Sequence, residues 1–171
     1  MKTPIVAAIA ALFLLGANAQ AQAPSDAQIA SIVVTANQVD IDAGKLAESK
    51  GSNAQVKAFG KQMVTDHSGV NKQAVALVTK LKVTPEDNPT SQSLKAGGDK
   101  NIANLKTLKG AAFDKAYMDN EVGYHQAVIE AVQKTLIPGA SNAELKALLV
   151  KVSPTFVAHL EHAKKIQSSL K

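Results

Sequence analysis

Four histidines are the residues of this chain best suited to chemistry. His67, His125, His159 and His162 are the only histidines among its 171 residues. His67, His125 and His159 each fall on the apolar stripe of a predicted helix, and the three helices differ. A histidine in a bundle interior is costly unless it is paired, hydrogen-bonded or bound to a metal. The pattern therefore predicts an inner site that contains these three rings.

Two acidic residues share the predicted inner face with the histidines. Glu121 precedes His125 by one helical turn, so both side chains can reach the same point. Asp40 lies on the apolar stripe of the first predicted helix. Because helical bundles build metal sites from such inward-facing side chains, the sequence predicts a metal site of His67, His125, His159, Glu121 and Asp40.

The ligand set favours one zinc or copper ion over a di-iron centre. Imidazole suits zinc and copper, whereas a di-iron carboxylate site takes a glutamate from each of two helices and Glu-x-x-His from the other two. Here Glu121 and His125 are four residues apart, and Asp40 is a shorter arm than glutamate. Met63 and Met118 lie one turn from predicted ligands, but methionine on an apolar stripe is usually a core residue.

Two other hypotheses explain the same polar pattern. In the first, the layer is a buried network in a structural or interaction module, where His125 pairs with Asp40 or Glu121 and sets helix register without metal. In the second, the protein is a redox or peroxide-handling metalloenzyme. The chain has no serine-nucleophile elbow, no His-Glu-x-x-His sequence and no phosphate-binding glycine loop, so hydrolase chemistry finds little support.

Three more polar residues lie near the predicted site without joining it. His162, three residues after His159, is predicted at a solvated edge. Asp66 points about a hundred degrees around the helix from the adjacent His67, which predicts a surface or supporting group. Asp114 lies near a helix start, where a carboxylate complements the helix dipole.

The N-terminal residues have the pattern of a secretory signal peptide. Lys2 precedes an apolar run from Ile5 to Gly16, and Ala-x-Ala cleavage signals follow within 17–21. The sequence predicts removal of residues 1–21, a single helical domain over 22–171, and a bacterial periplasmic or secreted location. Because there is no cysteine, disulfides and thiolate metal sites are excluded.

Charge and composition limit the classes of partner. The net charge of +5 comes from scattered lysines, and arginine is absent. Without arginine forks or an aromatic stacking platform, we expect no nucleic-acid binding. Weak association with anionic envelope surfaces fits the positive charge. No segment of the predicted mature chain is apolar enough to span a membrane, and the oligomeric state is left open.

Helical periodicity positions the candidate residues in a bundle. Capping-box patterns at Ser25, Ser52 and Ser141 each precede apolar residues at helical spacing, and a further helix is predicted over 111–136. The segment 83–98 is predicted as a break, with a short helix over 99–108. Short links within each helix pair and a long crossover between the pairs predict an all-α, ferritin-like four-helix bundle of two antiparallel hairpins.

Prolines mark two further boundaries in this prediction. Pro138, followed by glycine, is predicted to terminate the 111–136 helix. Pro154 lies inside the last helix, which predicts a kink there or a restart with Ser153 as the cap.

Several stretches of the chain also carry a resemblance to a known family. They are VDIDAGKLA at 39–47, FGKQMVTDH at 59–67, FDKAY at 113–117 followed by His125, and the pair His159 and Leu160. In these stretches the chain resembles the bacterial domain-of-unknown-function 4142 proteins, which are grouped with the ferritin-like superfamily and often labelled outer membrane proteins. The resemblance covers nearly the whole predicted mature chain and implies the fold and export rather than a particular reaction.

Overall fold

The computed structural model describes residues 23–170, and all regular structure in that range is helical. The helices are α1 (Asp26–Lys50), α2 (Ala54–Leu81), α3 (Pro89–Thr107), α4 (Gly110–Ala131), α5 (Ile137–Gly139) and α6 (Ala143–Ser169), with a π-helical segment (Val132–Leu136) between α4 and α5. The prediction of an all-α bundle is confirmed. The predicted signal peptide over 1–21 lies outside the described residues.

The long helices form two hairpins joined by a crossover helix. α1 packs against α2, α4 packs against α6, and α3 lies along α1. A Cβ atom added to Gly44 or Gly60 would lie 2.7 Å from the carbonyl oxygen of the other residue. The backbones of α1 and α2 therefore touch at this point, which brings Asp40 and His67 close to each other.

Two of the three predicted helix caps are wrong by one residue. α1 begins after Ser25, with the predicted capping box. α2 and α6 are instead capped by Asn53 and Asn142, one residue after the predicted Ser52 and Ser141. The reason is that asparagine caps as well as serine, and each Oδ1 accepts at least one hydrogen bond from a backbone N–H group of the first turn.

The crossover contains much more helix than the sequence predicts. α3 begins inside the predicted break over 83–98 and is nearly twice as long as the predicted helix over 99–108. Asn88 caps it by accepting hydrogen bonds from two backbone N–H groups, and Pro89 takes the first helical position, where no N–H is needed. Gly98 is buried in α3 where this helix meets α1, and a Cβ at this position would lie 2.8 Å from the side chain of Val39.

The two C-terminal prolines interrupt the helices less than predicted. Helical structure continues past α4 through the π-helical segment and α5, so Pro138 does not terminate it. α6 also continues through Pro154, and the predicted restart at Ser153 is wrong. Val152 and Phe156 on either side are buried, and this packing stabilises the helix across the missing backbone hydrogen bond.

Two hydrophobic clusters divide the interior, with a polar layer between them. The first cluster contains Ile29, Ile32, Val33, Val70, Ala74, Val132, Leu136, Ala140, Leu145, Leu149, Val152 and Phe156. The second contains Ala43, Ala47, Val56, Phe59, Met63, Leu105, Phe113, Tyr117, Met118, Ala163 and Ile166. On each of α1, α2, α4 and α6, the predicted site residues fall between members of the two clusters. The fold thus holds a polar layer between two apolar clusters.

The length and hydropathy of a helix decide whether it can span a membrane. Among the helices of residues 23–170, none has the combination of length and hydropathy that a membrane span requires. For that part of the chain, the prediction of no membrane-spanning segment is confirmed.

Candidate metal centre

The structure brings the five predicted site residues into the polar layer. Asp40 comes from α1, His67 from α2, Glu121 and His125 from α4, and His159 from α6, and each is at most 4% exposed. The prediction that these side chains face inward is confirmed. Their role as metal ligands stays a prediction, and the contacts of each ring bear on it.

His67 is held by an amide on α1. Its Nδ1 lies 2.7 Å from Oδ1 of Asn37, whose own Nδ2 donates a hydrogen bond to the carbonyl oxygen of Val33. Because Oδ1 of Asn37 accepts, Nδ1 of His67 carries the proton. Nε2 of His67 lies 2.8 Å from Oδ2 of Asp40, but neither atom has the alignment of a hydrogen bond. The two atoms are close enough for either a shared proton or a cation to hold them together.

His125 is anchored within its own helix. Its Nδ1 lies 3.0 Å from the carbonyl oxygen of Glu121, to which it donates, and 3.5 Å from the Oε2 atom of the same residue. Nε2 of His125 is 3.5 Å from Oδ2 of Asp40 and has no hydrogen-bond partner. The ring therefore keeps a buried lone pair on Nε2.

His159 is anchored from the edge of the bundle. Its Nε2 lies 2.9 Å from Oδ2 of Asp66, a carboxylate whose side chain is 35% exposed. Its Nδ1 is buried and has no hydrogen-bond partner. Asp66 is thus a supporting group for His159 on the neighbouring helix, in line with the prediction that it is not itself in the inner cluster.

The three rings share one arrangement: one nitrogen is hydrogen-bonded and the other is buried without a hydrogen bond. Potential ligand atoms of His67, His125 and His159 all lie within 4.8 Å of one another, and so do those of Asp40, Glu121 and His125. Ligating histidines almost always donate their second N–H to a carboxylate, a carbonyl or water, which fixes tautomer and orientation. The cluster has the donor atoms and the supporting hydrogen bonds of a metal site.

The two carboxylates of the layer differ in charge. Burial alone raises the pKa of Asp40, but the neighbouring histidines, His67 foremost, outweigh it and bring that pKa below its ordinary value. Burial and the negative charge of Asp40 raise the pKa of Glu121 well above its ordinary value. The lowered pKa favours the ionised form of Asp40, whereas the raised pKa favours the protonated form of Glu121.

Two of the rings are neutral at physiological pH. Burial lowers the pKa of His125 to about 4, helped by the charges of His67 and His159 and opposed by Asp40. Burial also lowers the pKa of His159, although its hydrogen bond to Asp66 opposes the shift. Neutral imidazole is the form that binds metals.

Comparison with protein families identifies the chain. A family model described as "Domain of unknown function (DUF4142)" matches residues 14–166. The chain belongs to this family. The matched range contains Asp40, His67, Glu121, His125 and His159, so the polar layer lies inside the DUF4142 domain. Searches of curated proteins and of solved structures gave no match.

Other predicted residues of this DUF4142 domain lie outside the cluster. His162 is exposed, and its Nδ1 lies 3.2 Å from Oε1 of Gln62. Met63 and Met118 belong to the second hydrophobic cluster. Asp114 accepts hydrogen bonds from the backbone N–H groups of Ser52 and Asn53, and so ties the start of α4 to the start of α2.

The sequence prediction missed side chains that contact the layer, among them Asn37 and Phe156. Asn37, the partner of His67, is only 3% exposed. The sequence did offer a signal for its burial, because Asn37 lies on the apolar stripe of α1, four residues after Val33. Phe156 stacks on the ring of His67 with a centroid distance of 5.4 Å. Its position three residues before His159 placed it in the core without indicating this contact.

Proposed function

We propose that this DUF4142 protein binds one transition-metal ion in the polar layer. The ligands are Nε2 of His67, Nε2 of His125 and Nδ1 of His159, with the carboxylate of Asp40 as the charged ligand and Glu121 beside it. The observation that carries the proposal is that each ring is anchored through its other nitrogen. A structural network has no need to leave three ring nitrogens buried without hydrogen bonds, because each such group costs about 1–3 kcal/mol.

Zinc or copper fits this donor set better than a pair of iron ions. Three imidazoles and one ionised carboxylate are typical of mononuclear zinc and copper sites. A di-iron centre takes four carboxylates. In residues 23–170, the cluster contains two carboxylates, and the raised pKa of Glu121 favours its protonated form.

The 2.8 Å contact between His67 and Asp40 supports a second candidate function. If Nε2 of His67 carries a proton, the two groups form a buried ion pair that sets the register of α1 and α2 without metal. Such a pair is a recognised means of specifying register in helical assemblies. In that case the protein is a structural or interaction module rather than a metal-handling one.

Export is part of the proposal and is supported by the sequence of residues 1–21. We propose that the mature protein begins near residue 22 in the periplasm or outside the cell. Mass spectrometry of the N-terminus in a periplasmic fraction tests this, and recovery of the full chain from the cytoplasm alone contradicts it. A role in metal handling or envelope stress fits that location, and a redox role requires that the bound metal be copper or iron.

Metal analysis of untagged protein separates the candidates. We expect close to one equivalent of zinc or copper by mass spectrometry, and a rise in melting temperature when that metal is added to stripped protein. His125→Ala should abolish both, whereas His162→Ala, which replaces an exposed histidine on α6, should change neither. Less than about a tenth of an equivalent, with no thermal shift for zinc, copper or iron, leaves only the register network.

A further inference from the structure

An apolar cavity of about 230 Å³ adjoins the polar layer. Its walls are mainly aliphatic side chains of the first hydrophobic cluster and its surroundings, among them Ile32, Leu94, Leu149 and Val152. The rings of His67 and His125 also line it. The cavity therefore has an apolar body and a few polar groups, which is the composition of small-molecule sites.

The cavity lies next to a groove on the surface. A groove of about 500 Å³ is lined by residues of α1, α3 and α4, and Thr90, Leu94 and Tyr124 line both the groove and the cavity. These three side chains thus separate the outer space from the inner one.

The wall of the cavity includes the π-helical segment. Val132 and Leu136, its first and last residues, both line the cavity. Single π-helical turns inside helices occur frequently at functional sites. The irregular backbone at this wall is a second feature that favours a binding site here.

We propose that the cavity binds a small neutral alcohol or phenol, with its hydrocarbon part among the aliphatic side chains and its hydroxyl at the histidine end. A charged ligand is disfavoured because its desolvation in this lining is not compensated, and because Asp40 repels anions. Nδ1 of His125 already donates to a carbonyl oxygen, so its free Nε2 is an acceptor that suits a hydroxyl donor. Because the same Nε2 is a ligand in the proposed metal site, the inference concerns the metal-free protein and does not require the metal.

The volume sets the size of the ligand. A cavity of about 150 Å³ holds benzene, which has six non-hydrogen atoms, and the same ratio gives about nine such atoms for this cavity. 1-Octanol has that size. Each additional buried methylene should tighten binding by about fourfold until the cavity is full.

Isothermal titration calorimetry with 1-butanol to 1-decanol tests the inference on the full mature chain, stripped of metal. The dissociation constant should fall with each methylene, reach its minimum near 1-octanol and rise again at 1-decanol. Octanoate should bind at least tenfold more weakly than 1-octanol. No binding, or an affinity that keeps rising through 1-decanol as in surface adsorption, overturns the inference.

A filled cavity provides the matched control. Ala131 lines the cavity, and Ala131→Leu adds three carbons to it, so 1-octanol should bind at least tenfold more weakly. Ala76→Leu is the same substitution on the exposed face of α2, and this variant should bind 1-octanol as tightly as the wild type does. Equal affinity in all three proteins overturns the inference. Repeating the titration with zinc present keeps the two proposals separate, because alcohol binding in stripped protein stands whether or not zinc binds.

Discussion

The buried ring of His125 should make the stability of the metal-free protein depend on pH. The perturbation is His125→Gln, which removes the titrating group and retains a polar side chain of similar size. Wild type and variant are compared by the free energy of unfolding between pH 4 and pH 7. A chelator keeps the histidines free of metal throughout.

The sign and size follow from the pKa of His125. That pKa is about 4 in the folded protein, because of burial first and the neighbouring histidines second, against an ordinary value of 6.5. The unfolded chain therefore takes up the proton first as the pH falls. The free energy of unfolding of the wild type should decrease from pH 6.5 down to pH 4 and change no further through this group below that. Each unit of difference between the folded and unfolded pKa is worth about 1.4 kcal/mol, so the free energy of unfolding should fall by about 3 kcal/mol relative to the variant.

Urea unfolding followed by far-ultraviolet circular dichroism suits this helical protein, which has no tryptophan. The difference between wild type and His125→Gln should change by about 3 kcal/mol across the window. His162→Gln, which removes an exposed histidine, is the control and should follow the wild-type curve. If the curves of wild type and His125→Gln run parallel from pH 6.5 to pH 4, the argument from burial is refuted.

Three further predictions concern the groups that support the site. Gly60→Ala places a Cβ against the backbone of α1 and should lower the free energy of unfolding by about 2 kcal/mol. Gly69→Ala, in open space on the same helix, should raise that free energy by up to about 1 kcal/mol. Equal effects of the two substitutions in urea unfolding contradict the close contact. Asp66→Ala removes the partner of His159 and should weaken zinc binding about 10- to 100-fold in competition with a chromophoric chelator, and unchanged affinity contradicts its supporting role. Asp114→Ala removes three charge-assisted hydrogen bonds, from the backbone N–H and hydroxyl groups of Ser52 and the backbone N–H of Asn53, and should lower the urea-derived stability by about 3 kcal/mol; a loss below about 1 kcal/mol contradicts that contribution.

The helical elements were largely predictable because helix signals are local. Ser25 caps α1 as predicted, and the apolar stripes indicated which faces are buried. The errors at Ser52 and Ser141 arose because serine and asparagine are adjacent and equally good caps. The length of α3 was missed because Pro89 and Gly98 both occur in turns. Their helical roles depend on an asparagine cap and on contact with α1.

The candidate site was predictable as a set of residues but not as a geometry. Periodicity placed Asp40, His67, His125 and His159 on inner faces, since a single helix determines which of its residues share a stripe. Periodicity could not predict the contact between Asp66 and His159, because that contact depends on the rotation and axial position of α2 relative to α6.

The sequence by itself determined the all-helical fold, the inner faces and the residue types of the polar layer. Only the tertiary structure decided which nitrogen of each histidine is free, that Asn37 and Asp66 hold two of the rings, and that an apolar cavity adjoins them. The physical reason is that helical periodicity acts over a few residues within one element. Hydrogen-bond partners and cavities are set by the relative register of four helices, which depends on distant contacts such as the close approach of Gly44 and Gly60.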